Sequence, residues 1–357
     1  MAKHGSGQRI PTTLVTGFLG GGKTTLINAV LHSAAFANAM VIVNEFGEVG
    51  LDHLLMESGQ DQVVLLDSGC LCCAVSGSLR DTLIDLFMRR ACGDLPAFDR
   101  VIIETSGLAN PVPLVASLIA DSAVSLHYRL ALVLTIVDAE NGAATLERYD
   151  EALKQVAVAD RILISKGERA GVDAVADMRA RLAAANVSAE IAIWQRGGDP
   201  SPLFADAPVA PDRRSAMPLG FARGPFAGDS AHGRLFPAIR SHVLRVCGAT
   251  DWPAYAAWTA QMQRCFGRRL LRCKGLLRIG SDEAIWVIQG VQGHFTPPAL
   301  LDAAVAGDLR DGQLDFLVCI GENISGDQLQ ATIPLLDTAD RRSTSNGSYS
   351  ALLTEHQ

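Results

Sequence analysis

The stretch TGFLGGGKTTLIN, Thr16–Asn28, decides the fold. Within it, Gly17–Thr24 fits the pattern G-x-x-x-x-G-K-[S/T]. The apolar run Thr13–Thr16 precedes it, and a helical pattern over Lys23–Ser33 follows. A strand that turns through glycines into a helix aims backbone N–H groups and the positive helix end at an anion. The pattern therefore predicts a phosphate cradle made by Gly17, Gly20, Gly21 and Gly22. Lys23 is expected to reach the β- and γ-phosphates, and the Thr24 hydroxyl to ligate Mg²⁺. A plain glycine-rich turn is the bland alternative, and the strand–loop–helix context disfavours it.

Working outward, short apolar runs alternate with helical patterns as far as Trp194. Strands are predicted at Thr13–Thr16, Met40–Asn44, Val63–Asp67, Val101–Glu104, Leu130–Val137, Arg161–Ser165 and Ala189–Trp194. Helices are predicted at Lys23–Ser33, Val75–Arg90, Val112–Ala120, Ala144–Ala157 and Ala174–Ala185. Strands apolar throughout are buried on both faces, which suits a mainly parallel, doubly wound α/β sheet of the P-loop type. Residues 1–196 are assigned to this domain, and 197–237, with seven of the fifteen prolines, to a linker. A smaller α+β domain is expected over 238–337, with strands in HVLRV, LLRCKGLLRI, AIWVIQGVQGHF and LDFLVCIG and helices at Trp252–Phe266 and Pro298–Val305. Residues 338–357 form a polar tail.

Composition excludes several classes. The net charge of −7 repels phosphate backbones, so no nucleic-acid role is expected. The opening MAKHGSGQR has no apolar stretch, and the longest aliphatic run, Leu130–Val137, is too short for a bilayer. Eight cysteines, three clustered and five scattered, do not resemble a secreted disulfide framework. A cytoplasmic protein is expected, with the scattered cysteines at 92, 247, 265, 273 and 319 in the core.

Three further stretches carry chemistry. In VIIETSGLANP, Glu104 ends an apolar strand and Gly107 follows three residues on. Glu104 suits a Mg²⁺ shell held through water, and the Gly107 N–H suits a γ-phosphate sensor. In ILISKGE, Ser165, Lys166 and Glu168 approach the guanine-reading pattern N/S-K-x-D, with the carboxylate accepting the ring N–H and amino protons. In SGCLCC, Cys70, Cys72 and Cys73 crowd one loop before a helix. Thiolates suit Zn²⁺ and other thiophilic ions, and three ligands leave a position open. Glu45 in NEFGEVG is the leading fourth ligand, with Glu48 and His127 behind it. A redox pair and simple packing are the competing readings of the thiols.

Together GFLGGGKTT, NEFGEVGLD, GCLCC, ETSGLANP, QVAVADRILISK, LLRCKGLL and VIQGVQGHF resemble the CobW-type metal-chaperone GTPases, from about Ile10 to Ala331. The resemblance implies a GTPase domain joined to a smaller C-terminal domain, and GTP-dependent delivery of Zn²⁺, or in some members Co²⁺, to a client metalloprotein. By position it assigns phosphate binding to Gly20–Thr25, including Thr25, the metal motif to Cys70, Cys72 and Cys73, the switch to Glu104 and Gly107, and the base reader to Ser165, Lys166 and Glu168. Glu45 or Asp52 orients the attacking water, and a client or a second protomer, as in a homodimer, completes the site. Two departures stand out: Glu168 replaces the usual Asp, and the linker lacks a histidine-rich tract. The rival functions are an ATP-dependent P-loop kinase of a small metabolite and a thiol-redox regulator.

Overall fold

The computed structural model describes residues 9–44, 63–65, 74–205, 238–280, 284–301, 306 and 314–337. The described residues fall into two units, one within 9–205 and the other within 238–337.

The first unit is built on seven strands: β1 (Ile10–Gly17), β2 (Ala39–Asn44), β3 (Val63–Leu65), β4 (Arg100–Thr105), β5 (Tyr128–Asp138), β6 (Arg161–Ser165) and β7 (Glu190–Ile193). Every neighbouring pair is parallel, in the order β3-β2-β4-β1-β5-β6-β7. The helices are α1 (Lys23–Leu31), α2 (Ala74–Cys92), α3 (Val112–Ala120), α4 (Ser122–His127), α5 (Gly142–Arg148), α6 (Asp150–Val158), α7 (Gly167–Ala170) and α8 (Val172–Ala185). Leu26, Ile27 and Val30 of α1 pack with Val15, Val41, Ile102 and Leu134 on one sheet face. Leu14, Ile42, Ile103 and Val133, which point the other way, are equally buried. The apolar runs thus reflect a sheet covered on both sides, as parallel sheets require. Strand order reverses beside β1, and such switch points leave a crevice at the carboxyl edge of the sheet.

The structure corrects the helix expected over Ala144–Ala157. It divides at Tyr149, whose φ of −125° and ψ of 118° are extended. Asp150 and Glu151 open α6, where carboxylates favour a helix N-terminus. The Tyr149 ring packs on Phe18 of the glycine loop at 4.6 Å between centroids. α4 was not expected; Asp121 caps it by accepting from the Ala123 and Val124 N–H groups. Residues 197–205, assigned to the linker by their proline and glycine content, instead close the first unit. There Phe204 enters the core beside Phe36, and buried Arg161 donates to the carbonyls of Leu203 at 2.6 Å and Ala205 at 2.9 Å.

The second unit holds an antiparallel sheet of β8 (Ile239–Arg245), β9 (Leu270–Arg278), β10 (Ile285–Val291), β11 (His294–Phe295), β12 (Ala299–Leu300) and β13 (Phe316–Glu322). One face is covered by α9 (Trp252–Cys265) and α10 (Gly326–Gln330), with Trp258 central to the core. The stretch AIWVIQGVQGHF is a hairpin rather than one strand. Gln292 and Gly293 take positive φ, and Val291 pairs back with His294. The helix expected over Pro298–Val305 is contradicted at its start, because Ala299 and Leu300 pair with Val287 and Trp286 as β12. A backbone used in a ladder cannot also turn helically; residues 302–305 lie outside the described residues. Of the five scattered cysteines, Cys273 and Cys319 are buried, whereas Cys92, Cys247 and Cys265 are exposed. Cys92 and Cys265 are the last residues of their helices, where the chain leaves the core.

Candidate nucleotide site

The glycine loop leaves β1 at Gly17, which has φ +141°. A Cβ there would lie 2.3 Å from the Ile136 carbonyl oxygen, so only glycine lets the loop cross β5 so closely. Gly20 and Gly22 also have positive φ, and the Gly21 N–H closes a turn onto the Phe18 carbonyl at 3.1 Å. Gly22 then caps α1, placing Lys23 and Thr24 in its first turn. Lys23 is only 7% exposed, and its ammonium donates to the Gly17 carbonyl at 2.9 Å and the Phe18 carbonyl at 3.3 Å. The ammonium therefore already lies inside the loop that should receive phosphate.

β4 delivers the partner groups. Val15 and Glu104 are in register on neighbouring strands, and the Thr24 hydroxyl donates to Glu104 Oε1 at 3.4 Å. The Glu104 carboxylate is 1% exposed. One residue on, the Thr105 hydroxyl donates to that of Thr16 at 2.8 Å, tying the ends of β4 and β1. Gly107 then packs against Leu19. A Cβ on it would stand 2.7 Å from the Leu19 nitrogen and 2.9 Å from its Cα.

β6 supplies the third stretch. The Ser165 hydroxyl donates to the Gly21 carbonyl at 2.6 Å, so Ser165 props the glycine loop from below. Lys166 has a left-handed φ of +57°, a conformation costly for a side-chain-bearing residue and concentrated at functional sites. Its ammonium donates to Asp138 Oδ2 at 2.6 Å. Partial burial pushes the Asp138 carboxyl up, but hydrogen bonds from Lys166, the Glu140 N–H and Asn141 pull harder, holding it below the usual carboxylate range. Glu168 stands exposed in the first turn of α7.

The structure thus brings together Gly17, Gly20, Gly21, Gly22, Lys23, Thr24, Glu104, Gly107, Ser165 and Lys166 at one edge of the sheet. Thr25 follows in α1. His127, a weaker metal candidate, stacks on Phe87 at 3.6 Å between ring centroids. Cys70, Cys72, Cys73, Glu45, Glu48 and Asp52 lie outside the described residues. Among the described residues, no group of three metal-ligating side chains occurs, and no helix is long and apolar enough to cross a membrane.

Two residues of the site had no role in the sequence reading. Asp138 ends β5 and holds Lys166. Gln155, buried on α6, donates to the carbonyls of Gly107 at 3.1 Å and Ala109 at 3.0 Å. A polar residue between the apolar positions of an amphipathic helix was the available signal for Gln155.

This geometry agrees with the comparisons to known proteins. Residues 11–192 match the CobW/HypB/UreG nucleotide-binding domain, and residues 239–334 match the cobalamin synthesis protein CobW C-terminal domain. The chain belongs to the CobW/HypB/UreG family. Among relatives of this family, the zinc chaperone YjiA of Escherichia coli is 39% identical over 162 residues, which are 45% of this chain and 51% of that protein. The zinc chaperone CobW of Pseudomonas aeruginosa is 34% identical over 228 residues, 55% of this chain and 59% of that one. The matched stretches thus span little more than half of these relatives. The crystal structure of Zn(II)-bound YjiA GTPase from E. coli superposes with a TM-score of 0.68 at 26% identity, covering 93% of this chain and all of that one. The CobW-type architecture, a P-loop domain with a separate antiparallel-sheet unit, is therefore that of this chain.

Proposed function

We propose that the chain is a GTP-hydrolysing metallochaperone, which binds Zn²⁺ through Cys70, Cys72 and Cys73 and passes it to a client metalloprotein under nucleotide control. The observation that carries this reading is Lys23 held by the carbonyls of the glycine loop while Thr24, next in the chain, meets buried Glu104 at the end of β4, in a chain whose relatives include zinc chaperones. Co²⁺ is the second cargo that the thiols suit.

The oxygen donors fit a Mg²⁺ ion: a threonine hydroxyl and a buried carboxylate meet at 3.4 Å, and hard cations take oxygen ligands. Thr24 would hold the ion directly and Glu104 through water; when bound, it neutralises charge on the phosphates. The chain's own groups do the rest. Lys23 and the loop N–H groups bind the β- and γ-phosphates. Gly107, placed against Leu19, offers its N–H to the γ-phosphate. Ser165 and Lys166 support the base, and the Glu168 carboxylate accepts from the guanine N–H and amino groups. Glu45 or Asp52 orients the attacking water. Glu45 also completes the metal site, so nucleotide and metal each alter the other's affinity, as linkage requires.

The test is an anaerobic Zn²⁺ titration against a chromophoric chelator, with Mg²⁺ and either GDP or a non-hydrolysable GTP analogue. The analogue should shift zinc affinity about 5- to 150-fold, the range typical of allosteric coupling. Cys72→Ser replaces a thiolate with a poor ligand and should lose most zinc affinity while keeping GTP affinity in metal-free buffer. Equal zinc affinity in both nucleotide states would leave a static site and end the delivery mechanism.

A further inference from the structure

The structure assigns a positioning role to Gln155: its side chain sets the Ser106–Asn110 loop for the γ-phosphate, an inference that rests on the GTPase reading above. Gln155 is 1% exposed, on the face of α6 turned to the sheet. Its Nε2 carries two hydrogens, and both go to this one loop, to the carbonyls of Gly107 and Ala109. The Ala109 N–H meanwhile donates to the Ser106 carbonyl at 3.1 Å. Three carbonyls of the loop are thereby fixed. A peptide unit is planar and trans, so fixing a carbonyl also fixes the N–H of the next residue. The N–H groups so aimed are those of Gly107, Leu108 and Asn110. Of these, the Gly107 N–H is the donor placed beside the glycine loop, because Gly107 is packed against Leu19.

Gln155 is itself held. The Thr135 hydroxyl of β5 donates to its backbone carbonyl at 2.7 Å. From Gln155 the chain runs through the rest of α6 and buried Asp160 into β6, where Ser165 props Gly21. The segment Gln155–Ser165 therefore bonds both the glycine loop, at Gly21, and the Gly107 loop. A buried amide is costly unless partnered, and an aliphatic side chain would fill the space without that demand. The amide is used here to fix backbone direction.

Gln155→Glu keeps the shape but turns a donor into a carboxylate facing two carbonyls. Gln155→Met keeps the length without any polar atom. Fluorescent GDP, a non-hydrolysable GTP analogue and steady-state GTP hydrolysis are measured for wild type and both variants of the full chain. GDP affinity should stay within about threefold of wild type, since GDP lacks the γ-phosphate. Analogue affinity and kcat should each fall at least about 10-fold, the loss expected for two buried hydrogen bonds. The Gln155→Glu defect should shrink as pH falls towards about 5, because protonation returns one O–H donor. The Gln155→Met defect should not change with pH. A folded variant with kcat and analogue-to-GDP preference within twofold of wild type overturns the proposal. If Gln155→Glu does not fold, Gln155→Met decides. Loss of folding in both makes Gln155 a core residue and also overturns it. A wild type that neither binds GDP nor hydrolyses GTP defeats the functional reading first, before any variant is compared.

Discussion

Gly107 lies so close to Leu19 that a methyl group on Gly107 would stand 2.7 Å from the Leu19 backbone nitrogen. These residues belong to loops that follow different strands, β4 and β1. The two loops therefore pass each other with no room for a side chain at Gly107. Gly107→Ala should push the glycine loop or its partner by several tenths of an ångström. We expect GTP turnover to drop at least about 10-fold, since small misplacements of a reacting group carry large penalties. GDP affinity should fall less. Steady-state hydrolysis and calorimetric GDP binding measure the two effects.

Glu168 is exposed at the start of α7, one methylene longer than the aspartate usual in guanine readers. Glu168→Ala should weaken GTP by about 2–4 kcal/mol, the worth of a charge-assisted hydrogen-bond pair, and leave ATP nearly unchanged. Nucleotide competition measures both. Equal binding of ATP and GTP by the wild type would defeat the guanine assignment and favour a kinase.

The Asp138–Lys166 pair gives a pH dependence with a definite sign. Asp138 titrates below its ordinary range in the folded chain, so the unfolded chain binds this proton more readily. Its stabilisation is fully present above about pH 4 and is lost as pH falls through the lower folded value. Asp138→Asn should therefore lower the urea midpoint at pH 7, and the gap to wild type should narrow as pH falls below about 4. A gap that persists at acid pH would mean that packing, not charge, makes the contribution.

Arg161 predicts stability rather than activity. Its side chain is 5% exposed and meets Glu190 through Nε at 2.9 Å and Nη2 at 2.7 Å, while Nη1 caps the carbonyls of Leu203 and Ala205. Arg161→Ala should lose about 3 kcal/mol, because it removes a buried charge partner and uncaps those carbonyls. Glu190→Gln should lose less, about 1–2 kcal/mol, since the buried guanidinium loses its counter-charge but keeps the Leu203 and Ala205 carbonyls as acceptors. Chemical denaturation of both variants separates these values.

Much of the fold was legible because parallel strands buried on both faces leave unbroken apolar runs, as at Val101–Ile103 and Ile162–Ile164. The glycine loop was legible because its geometry is local, with Gly17 to Thr24 contiguous in one loop and turn. Errors arose where tertiary contact overrides local pattern. The Tyr149 break depends on a ring from the glycine loop, and β12 depends on the edge of β10. The pairing of Thr24 with Glu104 spans 80 positions and was inferred only through each residue's separate motif.

By itself the sequence determined the elements whose cause is short-range: the glycine loop, the α/β alternation, the Ser165–Lys166 strand end and the crowding of Cys70, Cys72 and Cys73. Only the tertiary structure decided that Gln155 holds the Gly107 loop, that Asp138 holds Lys166, and that Phe204 enters the first unit's core. Each of these rests on a hydrogen bond or packing contact between residues distant in the chain. A pattern of residue types carries no direction for a side chain. That direction is set when helices and strands pack, and it decides which buried donor meets which carbonyl.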